Sequence, residues 1–350
     1  MAATNAEYIR RCYEILLSRE ADPEGLSTYG EALDSGRLAL AGLVAAIVQS
    51  EEFRQRVAAR QWPPPARPPE YAPPGHFYSP LLSRQDIDTG VALPVIEEGG
   101  AIAVSLASQV KLLERLRPYY DRQPFPKEQT AGRRFYLDNP AFCYYDAIVL
   151  HCLMRHLAPR RIVEVGSGFS SAAMLDTADQ CLAGQTRFTF VEPSPTTLLE
   201  KLLQTGDQDR CTVVASEVQR VPNDVFERLQ ANDILFVDSS HVAKYGSDVC
   251  DILFRVIPRL RPGVVVHFHD VFANLDYPRE WLLEGRAWSE AYLLRAWLSN
   301  NGDWDIVLFN DWFFVHAREW LATHMPLCLV QPSGSPFPNA GVSLWLRRRE

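Results

Sequence analysis

"RIVEVGSGFSS", Arg161 to Ser171, decides how the rest of the chain is read. Ile162, Val163 and Val165 surround one acid, Glu164, a composition that suits a strand buried on both faces. Gly166 and Gly168 let the chain turn tightly and bring its backbone close to a ligand, and Ser170-Ser171 open a helix. A strand that runs through such a turn into a helix is half of a parallel crossover unit, so the pattern should recur. "RFTFVE" (187–192), "CTVVAS" (211–216), "DILFVD" (233–238) and "GVVVHFHD" (263–270) repeat it, with helical stretches between most of them. "DWDIVLFND" (303–311) and "GVSLWLRR" (341–348) follow, separated by what reads as loop rather than a long helix, and make a terminal antiparallel pair. The expected fold is α/β: a doubly wound, mostly parallel, seven-stranded Rossmann-like sheet.

Composition bounds the possibilities. With 350 residues, 47% hydrophobic and 22% charged, the chain can form one large domain and a small one. A formal net charge of -8, and no Lys/Arg run interleaved with aromatics, argue against nucleic acid as a partner. "LRRRE" at the C-terminus reads as a solvated end. The seven cysteines are scattered and odd in number, which favours buried thiols in a reducing compartment over disulfides or a zinc knuckle. Neither a basic leader with an apolar core nor an apolar run of about eighteen residues is present. A cytoplasmic protein without membrane association is expected.

Prolines divide the chain. "QWPPPARPPEYAPPGHFYSP" (61–80) reads as an extended linker, because proline cannot donate a backbone hydrogen bond. Residues 1–60 then form a small all-α domain and 81–350 the α/β domain. In the first, Tyr8, Cys12, Ile15 and Leu16 share a helix face, Asp22-Pro23 starts a helix, and "LALAGLVAAIVQSEEF" (38–53) is amphipathic. The segments "YEILLSREADPEGLSTYGEAL" (13–33) and "SEEF" (50–53) resemble a bacterial helical module of unassigned function, often found beside carbohydrate-active domains. It carries no catalytic constellation. Docking of a protein partner or simple packing is the expected role.

The glycine turn is answered by Glu192 at the end of the next strand, placed to accept hydrogen bonds from a ribose diol. A third glycine is missing, with Ser170 and Ser171 in its stead, which disfavours a pyrophosphate and favours a phosphate-free ligand such as S-adenosylmethionine. From about Phe135 onward the chain resembles class I S-adenosylmethionine-dependent methyltransferases, with "EVGSGFSS" as the glycine loop and "FVEP" as the ribose acid. The resemblance implies that Glu164 and the Gly166-Ser167-Gly168 backbone, with Ser170, hold the methionine moiety. It assigns Glu192 to the ribose and Ser216-Glu217 to the adenine.

In a doubly wound sheet Asp238 ends the fourth strand and His269-Asp270 the fifth, so all project into the crevice of the glycine loop. The spacing Asp238-Ser239-Ser240-His241 resembles that of metal-dependent O-methyltransferases acting on macrolide sugars, in which the acid binds a metal and the histidine is the general base. By that resemblance Asp238, His269 and Asp270 hold a divalent cation, Mg²⁺ or Mn²⁺, and His241 with Asp238 is catalytic. His269 stands where those enzymes have a glutamate, and a nitrogen donor moves the preference from Mg²⁺ toward Mn²⁺, Fe²⁺ or Zn²⁺. A helix N-cap is the competing reading of Asp238. Lys244, Tyr245 and Asp248 read as helix-start residues.

Trp281 and Trp288 are candidates for stacking on an acceptor, whereas Trp297 reads as core. A second wall is sought in Asp138, Asn139 and Tyr144, with a structural cap as the alternative. The expected activity is O-methylation of a hydroxyl on a sugar, glycan or glycosylated small molecule. Homo-oligomerisation is open. Two other classes remain: a metal-dependent hydrolase using Asp238, His241, His269 and Asp270, and a non-catalytic S-adenosylmethionine-binding scaffold.

Overall fold

A computed structural model describes residues 4–17, 19–52, 71–196, 198–333 and 341–350. The chain falls into two compact units, Met1–Pro73 with Phe77–Ser79, and Pro74–His76 with Pro80–Glu350. Of the proline-rich stretch, residues 61–70 lie outside the described residues.

The smaller unit has helices Asn5–Cys12, Pro23–Asp34 and Leu40–Gln49, with a wide helical turn over Tyr13–Leu17. Thr4 and Glu7 close a capping box on the first helix, and Asp22 caps the second by accepting from the Gly25 N–H, with Pro23 at its first position. The buried line is Ile9, Tyr13 and Leu17, met by Leu43 and Ile47. Tyr8, expected on that face, is exposed. Cys12 and Leu16 pack at the edge of this line, so the inward face centres one residue beyond the one read in the sequence. Arg19 ties the unit together through both guanidinium edges, pairing with Glu52 at 2.7 Å and Asp22 at 2.8 Å.

The larger unit is built on seven strands: β1 Arg161–Val165, β2 Arg187–Val191, β3 Cys211–Val214, β4 Ile234–Val237, β5 Val265–Phe268, β6 Trp304–Phe309 and β7 Leu344–Arg348. Their order is β3-β2-β1-β4-β5-β7-β6. The first five are parallel, and β7 runs antiparallel to both β5 and β6. Each strand divides its side chains between two cores by its period of two. Ile162, Ile234, Phe236, Val265 and Trp345 face helices Leu106–Tyr120, Tyr144–Leu157 and Phe169–Cys181. Val163, Val165, Leu235, Val237, Val266, Phe268 and Leu346 face the other core, with Phe226, Ile252 and Leu294. Burial on both sides is why these strands read as unbroken apolar runs.

One element differs from the reading above. Between β6 and β7 lies a helix, Asn310–His324, interrupted at Ala317 where φ is -143°. It opens at Asn310-Asp311, a pair that between two apolar runs reads as a loop and so conceals the change from period 2 to period 3.6. Trp312, Phe313 and Leu321 bury its inner side.

The strand ends are stitched past their last residues. Gly166 N–H donates to Val191 O, Glu192 N–H to Val214 O, Asp238 N–H to Val165 O and His269 N–H to Val237 O. The acids of β2, β4 and β5 therefore leave the sheet together at its carboxyl edge.

A chain beginning at Gly75 is expected to melt in one cooperative transition, followed by circular dichroism. Aggregation of that chain would show that helices 5–49 are packing partners of the sheet and not a separate unit.

Candidate active site

Two cavities open at the carboxyl edge. The larger, about 460 Å³, lies against Glu192, Glu217, Asp238 and Ser240. The smaller, about 230 Å³, lies against Phe142, Ser167, Gly168 and Ser170. Gly166, Glu192 and Asp238 line both, so the two form a continuous groove around the glycine turn. Three buried polar atoms on its walls have no hydrogen-bond partner among the described residues: Ser167 Oγ, Gln219 Oε1 and Ser239 Oγ. Buried polar groups are rarely left unpaired, and these atoms give the groove a polar wall.

Gly166 adopts φ +80°, and a Cβ at this position would stand 1.8 Å from the Asp238 carbonyl oxygen. The residue must be glycine for two reasons, the left-handed backbone and the pressing of one strand end against another. The Glu192 carboxylate accepts from Ser167 N–H at 3.1 Å and Ser194 N–H at 2.8 Å, which holds it at the groove between the two cavities. Glu164 behaves differently from its expected role. It is wholly buried, accepts from the Ser170 hydroxyl at 2.6 Å and from that of Ser171, and lines neither cavity. Burial pushes its pKa up to about 8, against the pull of the two serine hydroxyls. Its position braces the turn and the start of helix Phe169–Cys181 from below. Glu217 lines the larger cavity, but Ser216 does not; the Ser216 hydroxyl donates to the Glu217 carbonyl.

At the far side of Asp238 the groove meets a cluster of charges. His241, 5% exposed, places Nε2 3.3 Å from Asp238 Oδ1 and 3.5 Å from Asp270 Oδ2. Its Nδ1 lies 2.9 Å from Oε2 of Glu290, which is 2% exposed. No helix begins at Asp238; the next one starts at Asp248 and is capped by Ser247, so the N-cap reading of Asp238 fails. Asp248 accepts from both the backbone N–H and the hydroxyl of Ser240, closing the loop that carries His241. His241 and Asp270 both sit at φ +57°. Left-handed backbone costs a non-glycine residue roughly 1–2 kcal/mol, and two such residues facing each other at a groove suit a functional centre. Ser289 and Glu290 donate their backbone N–H groups to the His241 carbonyl, at 2.8 and 3.1 Å, holding that conformation.

Burial opposes a charge on His241, but its hydrogen bonds to Asp238 and Glu290 and the field of Asp270 outweigh it and carry the pKa up to about 10. Burial raises Asp270 and Glu290 above the usual carboxylate range. Asp238 is held below that range, as burial is outweighed by His269 and His241.

The metal set expected from the resemblance is rearranged. The ligand atoms that lie within 4.8 Å of one another belong to Asp238, His241 and Asp270. His269 is not among them, because it shares the inward face of β5 with His267. Its ring lies 5.3 Å from that of Phe142 and 5.5 Å from that of His267, and its Nε2 is 3.9 Å from Asp270 Oδ1. His267 is a core residue, with Nε2 2.9 Å from the Ser343 hydroxyl and its ring stacked 3.7 Å from Phe236.

Of the tryptophans, Trp288 touches His241 with ring centroids 4.3 Å apart and Trp281 touches Trp288 at 5.1 Å, while Trp297 packs on Trp304. Asp138, Asn139 and Tyr144 form no wall. Asp138 accepts from Ser333, Asn139 clamps a turn at Phe142, and Tyr144 is buried; it is Ala141 and Phe142 that reach the groove. Glu290 was missed in the sequence, where an acid after a serine at a helix start reads as an ordinary terminus.

Replacing Gly166 by Ala is expected to unfold the larger unit, whereas Glu192→Ala should leave the melting temperature unchanged and weaken cofactor binding, measured by calorimetry. His241 should also leave a mark on stability against pH. Its raised pKa stabilises the fold fully below its unfolded value of about 6.5, and this is lost as pH rises toward about 10. In chelator, His241→Gln should flatten that part of the melting profile, and an unchanged slope would show that His241 is not charged in the fold.

Comparison with known proteins places these features. Residues 163–271 match the family described as "Methyltransferase domain", and residues 1–57 match a domain of unknown function. A curated protein of Archaeoglobus fulgidus, itself uncharacterized, is 29% identical over 168 residues, covering 46% of this chain and 75% of its own. Among solved structures, the methyltransferase PaMTH1 of Podospora anserina bound to SAH is 17% identical, with 75% of this chain and 100% of that one covered and a TM-score of 0.38. The O-methyltransferase TomG of Streptomyces achromogenes in complex with SAM is 15% identical, with 73% and 92% covered and a TM-score of 0.35. The assignment rests on the family match and on the site, not on those scores. The matched segment carries the glycine turn, Glu192, Asp238, His241 and Asp270, so the site lies within the part of the chain that is similar to a methyltransferase domain.

Proposed function

We propose that this protein methylates a hydroxyl group of a sugar or glycosylated metabolite, with His241 as general base and a divalent cation held beside it. One observation carries the reading: buried Glu290 holds His241 Nδ1, and Nε2 stands between Asp238, which lines the groove, and Asp270. An acceptor oxygen becomes a methyl ether only if its proton leaves, and a sugar hydroxyl is too weak an acid to lose it unaided near neutral pH. Nε2 would take it once a cation on Asp238 and Asp270 has brought the His241 pKa down from about 10. Glu290 fixes the ring orientation and stabilises the imidazolium that results.

S-adenosylmethionine supplies a methyl carbon on a sulfonium, whose bond to sulfur breaks as the acceptor oxygen attacks in line. The residues present fit it: Glu192 for the ribose diol, the Gly166-Ser167-Gly168 backbone for the methionine end, and the unpaired Ser167, Ser239 and Gln219 atoms on the walls. A divalent cation supplies positive charge that acidifies the acceptor hydroxyl and offsets the pull of the carboxylates on the His241 proton. Asp238 and Asp270 would hold it, and their oxygens suit Mg²⁺ or Mn²⁺. The distances also favour a second reading, in which His241 is a third ligand. A hydrolase would have no use for Glu192 at the paired cavities.

The test reads metal content by elemental analysis and S-adenosylhomocysteine formed with a panel of sugar acceptors. Asp238→Ala should lose metal and turnover, whereas His241→Ala should keep metal and cofactor and lose roughly 10²–10⁴-fold in rate. Loss of metal in both variants would make His241 a ligand, and full turnover in chelator would remove the cation from the mechanism. Glu290→Gln should lower kcat with KM little changed and shift the pH profile, since it keeps the shape of the contact and removes its charge.

A further inference from the structure

The segment between helices Arg279–Leu283 and Glu290–Leu298 turns back at Gly285, where φ is +81°, and brings Trp281, Arg286 and Trp288 together. The two indoles meet edge to face, 5.1 Å apart at 79°. The Arg286 guanidinium stacks on both, 4.2 Å from the Trp281 centroid and 4.9 Å from that of Trp288. Phe272 backs Trp281 at 5.0 Å and Tyr277 backs Trp288 at 6.0 Å, so the corner is rigid. Trp288 also touches His241.

Arg286 donates through Nε to Glu284 at 2.8 Å, and its two terminal nitrogens have no hydrogen-bond partner among the described residues. Its side chain is 35% exposed. A guanidinium clamped by two aromatic faces has already lost most of its conformational freedom, which favours capture of a planar or tetrahedral anion through its remaining donors. The neighbouring imidazole of His241 is surrounded by Asp238, Asp270 and Glu290, so an anion placed among them would be repelled. Beside Trp288, Arg286 supplies the opposite sign.

We propose that Arg286, held by Trp281 and Trp288, binds an anionic group of the methyl acceptor, so that the acceptor is a sugar carrying a carboxylate or a phosphate. Holding that anion, the arginine sets which hydroxyl of the sugar reaches His241. This rests on the proposed transfer to a hydroxyl at His241, but its test reads fragment binding without turnover, so the two can fail separately.

The full-length protein would be titrated by calorimetry with D-glucuronate, glucose 1-phosphate and methyl glucoside. At least one anion should bind roughly tenfold or more tightly than the neutral glycoside. Preference for glucuronate names a carboxylate and preference for the phosphate ester names a phosphate. Arg286→Gln should abolish the preference and Arg286→Lys retain part of it, both with unchanged melting temperature and S-adenosylmethionine affinity. Equal binding of neutral and charged sugars by the native protein, no binding of either anion, or an anion preference that survives Arg286→Gln would each overturn the proposal. The comparison within the native protein stands even if a variant does not fold.

Discussion

The contact between the backbone of Gly166 and the carbonyl of Asp238 is the constraint on which the rest of the site depends. It leaves no room for a side chain, and it locks the turn after β1 to the end of β4. The ladder bond from Asp238 N–H to Val165 O lies beside it, so the glycine turn and the first acid of the charged cluster are held together. Glu164 extends that link inward through Ser170 and Ser171, and Glu192 extends it sideways through the Ser167 N–H. A methyl donor bound in the groove would therefore hold a fixed relation to Asp238, which positioning of two reactants requires.

Buried charge is used in two contrasting ways. On the opposite core face, Arg134 is 8% exposed and pairs with Asp176, Asp179 and Asp207; Asp176 also accepts from the backbone N–H groups of Arg134 and Phe135. Arg210 adds a second cation, pairing with Asp179 and Asp207, so two guanidiniums that stay charged meet three carboxylates. Beside the groove the His241 imidazole faces Asp238, Asp270 and Glu290, with His269 farther off, and Asp270 and Glu290 are raised by burial. An excess of carboxylate around one titratable ring is poorly justified by stability, and is the arrangement from which proton transfer and cation binding draw.

The strands and the convergence of their terminal acids were legible because one physical rule governs both. Strands buried on both faces must be apolar throughout, so β1 to β5 stand out by composition, and parallel pairing sends every carboxyl end to one edge. Helix Asn310–His324 was not legible, since its first residues, Asn310-Asp311, are of the type that also makes loops. Nor was the exclusion of His269 from the cluster. Its spacing beside Asp270 looks like a pair of ligands, but the pleat turns His269 toward His267 and Phe142, while the left-handed backbone at Asp270 turns its carboxylate to His241.

The amino-acid sequence by itself determined the doubly wound sheet, the glycine turn, the place of Glu192 and the arrival of Asp238 and Asp270 at one rim, because each follows from local composition and from the parallel topology. Only the tertiary structure decided that Glu290 stands behind His241, that Ser216 turns away from the groove, and that Arg286 lies between Trp281 and Trp288. Glu290 is 49 residues from His241 in the chain. No periodicity spans such a distance; contacts of this kind are set by how loops fold back over the sheet, where backbone bonds such as Ser289 N–H to His241 O hold them.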